Sequence, residues 1–374
     1  MAFIFVYLAE YGFLYRKLQI NMWLGFKKFI KYFFLVFFIL LVGFIAFNFD
    51  AAVYGFRQAK GQLKVIFNTR PVEEVMADKT FPDSLKKRIE LIQEIKKFAV
   101  DSLGLNQSEN YTTFYNQHGK PILWVMTACE PFELKAKKWH FPIVGTFTYK
   151  GHFEKELADK EIAELKKESY DTQLNEVSAW STLGYLKDPI LSSMLYYSDA
   201  RLASLIIHEL THGTLFVKNN LEFNENLADF IGEYGAIRFL AYKYGKDSEE
   251  LRKYERSKKF SDAYTKHLIR GTKKLDSLYH SFNKNLTISQ KTSLKFDLIG
   301  KIITSTDTLM NGEIQSLRKS RRRTSQVNNA YFIGYLTYQS KQNQFEKEFR
   351  TKFNQDFKKY MAYLKKAYPS SIVF

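Results

Sequence analysis

Five consecutive residues, His208-Glu209-Leu210-Thr211-His212, have the types and spacing for metal chemistry. On a helix, residues four apart stand one turn apart on one face, so both imidazoles can reach a single ion. Glu209, between them, is placed to hold a water rather than the ion and to act as a general base. Leu205, Ile206, Ile207 and Leu210 flank the motif and predict a buried helix. Catalytic zinc sites usually have three protein ligands and one open position. The expected third ligand is Glu225, thirteen residues after His212, in Asn224-Glu225-Asn226-Leu227-Ala228-Asp229. Asp229 is four residues on, hence on the same helical face, and can accept a hydrogen bond from the free N–H of a ligand histidine. Gly213 and Lys218-Asn219-Asn220 supply the turn between the helices. A satisfied pair of core histidines is the plainer alternative, and the combination of buried helix, turn and N-E-x-x-A-D speaks against it. Two histidines and one carboxylate suit one Zn2+.

The elements that must position these residues belong to a chain of 374 residues, enough for one large domain or two smaller ones. A hydrophobic fraction of 45% supplies a sizeable core. The net charge of +17 invites a nucleic-acid or anionic-lipid reading. Its lysines, however, are spread along helical patterns as a solvated face, so no nucleic acid is expected. The basic run Arg318 to Arg323 reads as a solvated helix end. One cysteine, Cys129, excludes an internal disulfide framework and a thiolate metal cluster.

Tyr32 to Phe49 is free of charge and near the lower length limit for a bilayer-spanning helix. Arg16, Lys17, Lys27, Lys28 and Lys31 precede it, and Asp50 follows. The positive-inside rule then puts the N-terminus in the cytoplasm and the body on the outer, periplasmic side of a bacterial inner membrane, with lipid as partner to this helix. No small-residue cleavage site follows the run, which favours an uncleaved anchor. The expected organisation is an N-terminal extension over 1–21, with Met22 an alternative start, an anchor over 22–50, a core carrying the metal motif over 51–245 and a helical C-terminal part of the same unit over 246–374.

Downstream, helices are expected over Ala51 to Phe67 and Asp83 to Leu103, the latter ended by Gly104. Strand-like runs follow at Tyr111 to Tyr115, Ile122 to Thr127, Ile143 to Tyr149 and Val177 to Thr182, with a charged helix over Lys155 to Ser169. Beyond Gly235 the pattern is helical over Ala236 to Tyr244, Glu249 to Phe282, Gln290 to Arg323 and Asn328 to Tyr368, where Pro369 stops it. The fold class is therefore α+β and mostly helical, with a small zincin-like sheet packed on the H-E-x-x-H helix. A strand near the metal, Glu176 to Gly184 with Ala179, Trp180 and Ser181 at its centre, is the candidate to hold an extended substrate.

The segments AKGQLKVIFNTRPVEEVMAD, KKWHFPIVGTFTYKGHF, SAWSTLGYLKDPILSSML and IIHELTHGTLFVKNNLEFNENLADFIGEYG together resemble a group of bacterial predicted zinc aminopeptidases, usually exported or membrane-attached. NNAYFIGYLTY near residue 330 also fits. The resemblance implies His208, His212 and Glu225 as metal ligands and Glu209 as the catalytic residue. N-E-x-x-A-D is similar to the thermolysin-like, gluzincin arrangement, although the gap from His212 to Glu225 is shorter than usual there. Peptide hydrolysis further needs a donor for the oxyanion. Tyr149 and His152 are the candidates, with Tyr331 and Tyr338 as alternatives, and Glu176 is the candidate to capture a substrate's free amine. An endopeptidase, or a membrane-anchored binding protein with a structural metal, are the other readings of the same residues.

Overall fold

The computed structural model describes residues 2–141, 145–177, 187–218, 220–306, 327–339 and 342–368. It divides into two compact units, Met1–Lys60 and Gly61–Phe374. The first is built on α1 (Ala2–Phe47) and the start of α2 (Phe49–Phe67). Phe26–Phe47 is long and apolar enough to cross a membrane, and none of it is buried. This stretch begins earlier than the charge-free run starting at Tyr32 and includes three lysines. Lys27 Nζ lies 3.4 Å from the Trp23 ring centre. Asn48 N–H donates to Phe44 O at 3.0 Å and Ala52 N–H to Asn48 O at 2.9 Å, so the hydrogen-bond ladder passes from α1 into α2.

In the second unit, α3 (Val72–Ala77) leads to α4 (Asp83–Leu103). Ile89, Ile92, Ile95, Ala99 and Leu103 bury one face of α4. Gly104 ends it at φ 77°, a left-handed cap that glycine adopts without a Cβ penalty. Instead of one small sheet, the strands among the described residues form two three-stranded sheets and one two-stranded sheet. β1 (Thr69–Pro71) pairs antiparallel with β2 (Thr113–Tyr115), which pairs parallel with β8 (Ile190–Leu191). β3 (Trp124–Cys129) lies between β6 (Tyr149–His152) and β7 (Asp171–Glu176), both antiparallel to it. β4 (Trp139–Phe141) and β5 (Gly145–Phe147) pair antiparallel as the two-stranded sheet. The single sheet expected from the strand patterns fails because alternation marks each strand but not its partner.

Side chains alternate across β3, and Met126 and Ala128 turn to α5 (Lys155–Lys167), where Trp139 and Leu165 join them in a small core. The opposite face of this sheet meets the C-terminal helices. The motif helix is α6 (Asp199–Thr214), packed between α4 and α7 (Leu221–Tyr244). α7 runs uninterrupted through Gly235, joining the pattern opened at Asn224 to that expected over Ala236 to Tyr244. α8 (Glu249–His280) and α9 (Ile288–Thr304) follow. The single helix expected over Asn328 to Tyr368 does not form: the described residues give α10 (Asn329–Gln339), α11 (Gln342–Phe353) and α12 (Phe357–Ala367). Asn354 and Gln355 break it with left-handed φ of 48° and 61°, and Asp356 caps α12 by accepting from Lys359 N–H at 3.1 Å. Pro369 lies outside the described residues.

The main core joins α3, α4, β2, β8, α6, α7, α11 and α12; a second, smaller one lies beneath α8, α9 and α10. A buried polar knot ties that second core to the sheet. Lys295 of α9, only 2% exposed, donates to Asp171 Oδ2 and, at 2.9 Å, to Pro131 O. Asn329 N–H donates to the same Asp171 oxygen at 2.8 Å, and Tyr279 donates to Asn329 Oδ1 at 2.7 Å.

Candidate metal centre

Helix α6 begins at Ser198, whose hydroxyl accepts from Arg201 N–H. Leu202, Ala203, Ile206, Ile207 and Leu210 bury its inner face. That burial sets the rotation of the helix, and His208 and His212 follow from it as one ridge towards α7. Their Nε2 atoms are 3.1 Å apart, and the rings stand at 83° to one another. Asn224 holds the entry to α7. Its side chain accepts from Val217 N–H at 2.8 Å and donates to Val217 O at 2.9 Å. Glu225 then places Oε2 3.7 Å from His208 Nε2 and Oε1 3.7 Å from His212 Nε2.

α7 comes this close to α6 because of glycines. A Cβ on Gly232 would lie 2.7 Å from Ser204 O and 3.1 Å from His208 Cβ. A Cβ on Gly235 would lie 2.9 Å from a Leu103 methyl and 3.0 Å from an Ile207 methyl. Gly232 had no part in the motif-based reading. A glycine seven residues beyond Glu225, two helical turns along the same face, was the signal for it.

Ligand atoms of His208, His212 and Glu225 all lie within 4.8 Å of one another. Zinc bonds of about 2.0–2.1 Å in a tetrahedron imply ligand-to-ligand edges of about 3.3–3.4 Å. The imidazole–imidazole edge is 3.1 Å, and the two 3.7 Å approaches to Glu225 are made to different oxygens, so the donor set fits such an ion once one Glu225 oxygen turns towards both rings. On the far side of the His208 ring, Nδ1 donates to Asp229 Oδ1 at 2.9 Å, which leaves Nε2 turned towards Glu225. His212 Nδ1 is buried with no hydrogen-bond partner among the described residues.

The charges support the same reading. Burial lowers the pKa of His208, but the Asp229 hydrogen bond and the carboxylates of Asp229, Glu209 and Glu225 outweigh it and push it up to about 9. Burial raises the Glu225 carboxyl, yet the two imidazoles overcome this and hold it below its usual range. A protonated His208 thus stands among carboxylates, with Asp229 at Nδ1 and Glu225 facing Nε2.

Tyr149 and His152 prove to have different surroundings. They sit on opposite faces of β6, three residues apart on a strand. His152 turns to α5, with Nε2 3.1 Å from Glu161 Oε2; Lys150, on the same face, reaches that carboxylate at 2.8 Å. Tyr149 turns the other way. Burial, and then the charge of Glu225, push its hydroxyl up to about 12. Tyr331 is engaged with the hydroxyls of Tyr264 at 2.8 Å and Tyr335 at 3.2 Å. Glu176 is exposed at the end of β7. Ala179, Trp180 and Ser181, and the side chain of Tyr338, lie outside the described residues.

Two histidines from one helix and a glutamate from the next, braced by an aspartate, define a two-imidazole, one-carboxylate ligand set. The model of one family, described as "Putative aminopeptidase", matches residues 53–369, and the chain belongs to that family. No curated protein and no solved structure matches the chain.

Proposed function

We propose that the chain is a zinc-dependent peptidase, attached to a membrane, that removes residues from free N-termini. The carrying observation is the convergence of His208, His212 and Glu225 on one point in a member of an aminopeptidase family. A zinc ion held by these three would polarise a peptide carbonyl and lower the pKa of water. Glu209 takes the proton of the attacking water and passes it to the departing amine. Asp229 fixes the His208 tautomer by holding Nδ1–H, so that Nε2 keeps its lone pair for the ion. Tyr149, protonated at neutral pH, donates to the carbonyl oxygen as that atom gains charge. Residues Ala179, Trp180 and Ser181 hold the substrate's extended backbone, and Glu176 captures its free amine. His152 has no part in this scheme, because Glu161 holds it on the other face of the sheet.

The apolar stretch Phe26–Phe47 anchors the chain in lipid, with the lysine-rich end cytoplasmic and the body on the outer side of a bacterial inner membrane. The deciding experiment is digestion of an unbiased peptide library by zinc-loaded protein, with Glu209→Gln alongside. Ladders shortened from free N-termini are expected from the wild type alone. Internal cuts would make it an endopeptidase, and no cuts by either protein would make it a binding protein.

A further inference from the structure

Three carboxylates on α7 are evenly spaced. Glu225, Asp229 and Glu233 stand four residues apart, with about 5–6 Å between successive Cβ atoms. The ridge of α6 that faces them, Ser204, His208 and His212, has the same spacing and runs the other way. His212 meets Glu225, His208 meets Asp229, and the Ser204 carbonyl lies against Gly232, the neighbour of Glu233. The first two carboxylates each face an imidazole, and at the third position α6 offers none. Four residues advance a helix by one turn and about 40°, so Glu233 is also rotated away from the line of Glu225.

The cation for Glu233 comes from α8. Lys258, whose side chain is 11% exposed, places Nζ 2.8 Å from Glu233 Oε2. The same ammonium donates to both carboxylate oxygens of Asp262, at 2.9 and 3.0 Å. Burial works against the charge on Lys258, but Glu233 and Asp262 outweigh it and keep the ammonium protonated. Burial also pushes the Glu233 carboxyl above its usual range; Lys258 opposes the rise, and the charge of Asp229 adds to it. Without the ammonium, a buried carboxyl is left one helical turn from the carboxylate that holds His208. As an anion it would repel Asp229. As an acid it would donate to Asp229 in competition with His208 Nδ1–H. Either weakens the bond that turns His208 Nε2 towards the ion.

We propose that Lys258 is a positioning residue for the metal centre: by drawing the Glu233 carboxylate to α8, its ammonium leaves Asp229 to His208 alone. This rests on the reading of His208 as a metal ligand. It makes a specific demand, because Lys258 becomes dispensable once Glu233 is gone.

The test is zinc affinity, measured by competition titration on the full chain in detergent, for wild type, Lys258→Met, and Lys258→Met combined with Glu233→Leu. Lys258→Met is expected to weaken zinc binding about fivefold or more, short of the roughly 10–100-fold typical of removing a direct partner of a ligand histidine. The double variant, with no carboxyl left to crowd Asp229, is expected to bind within about twofold of wild type. A lysine that merely ties α8 to α7 would not give this recovery. Affinity kept in Lys258→Met, or a double variant as weak as the single one, would overturn the proposal. If Lys258→Met does not fold, Lys258→Gln, which keeps a donor for Asp262 without the charge, takes its place with the same expectations. A wild type that binds zinc and cleaves nothing overturns the peptidase reading alone, and a wild type that binds no zinc overturns both.

Discussion

Among single residues, the pair His208–Asp229 makes the sharpest demands. The folded pKa of His208, about 9, exceeds the 6.5 of a free imidazole, so folding favours the protonated ring. That stabilisation is complete below pH 6.5 and is lost as pH rises through 9. Thermal melts of metal-free protein should therefore show a falling midpoint across this window. Asp229→Asn should flatten the fall, because the hydrogen bond that raises the pKa is weakened. In zinc competition titrations the same substitution should lower metal affinity by about 10–100-fold, the usual effect of removing a partner that orients a ligand histidine. An unchanged affinity would show that His208 is not oriented through Nδ1. These residues were legible in the sequence because helical spacing translates directly into a shared face. Tyr111 was not legible beyond its place in a strand-like run. Its left-handed backbone is held by Asp188 and Gln93, which bond its N–H and its carbonyl from other elements.

Between elements, the approach of α7 to α6 decides whether the ligands meet. Gly232→Ala puts a methyl group 2.7 Å from Ser204 O, a backbone atom that cannot rotate away. The helices must separate by a fraction of an ångström or more, carrying Glu225 and Asp229 away from His208. Over-packing of this kind typically costs about 1–3 kcal/mol. Denaturation should show that loss, and zinc affinity should fall with it. If affinity is kept while stability drops, the ligand set does not depend on this crossing. Helix α4 was legible to both ends, since its apolar spacing and Gly104 agree. The break within the expected helix from Asn328 was not, because Asn354 and Gln355 carry no proline or glycine to mark it. The helical patterns on either side of Gly235 form the one helix α7. Glycine suggests a stop, but here it is the space into which Leu103 and Ile207 fit.

Across the whole molecule, the C-terminal helices and the sheet depend on one buried charge pair. The Lys295 side chain is 3% exposed and that of Asp171 13%. Lys295→Met would leave Asp171 buried with only Asn329 N–H as a named donor, and breaking such a pair costs about 3–5 kcal/mol. Urea unfolding should register this, whereas a change under about 1 kcal/mol would mean that the knot is replaceable. The sequence showed lysines as a solvated face, which holds for most of them. It could not single out Lys295, because its burial comes from Phe132 and Phe296, whose rings flank it from different segments. The mostly helical class was legible from periodicity, whereas the division of the strands into separate sheets depended on long-range pairing. The account as a whole rests on three side chains from α6 and α7 holding one cation. Metal content per chain, measured by mass spectrometry on wild type and Glu225→Ala after zinc loading and dialysis, tests this directly. About one zinc per wild-type chain is expected, falling well below that in the variant. An equal content in both proteins, or none in the wild type, would contradict it.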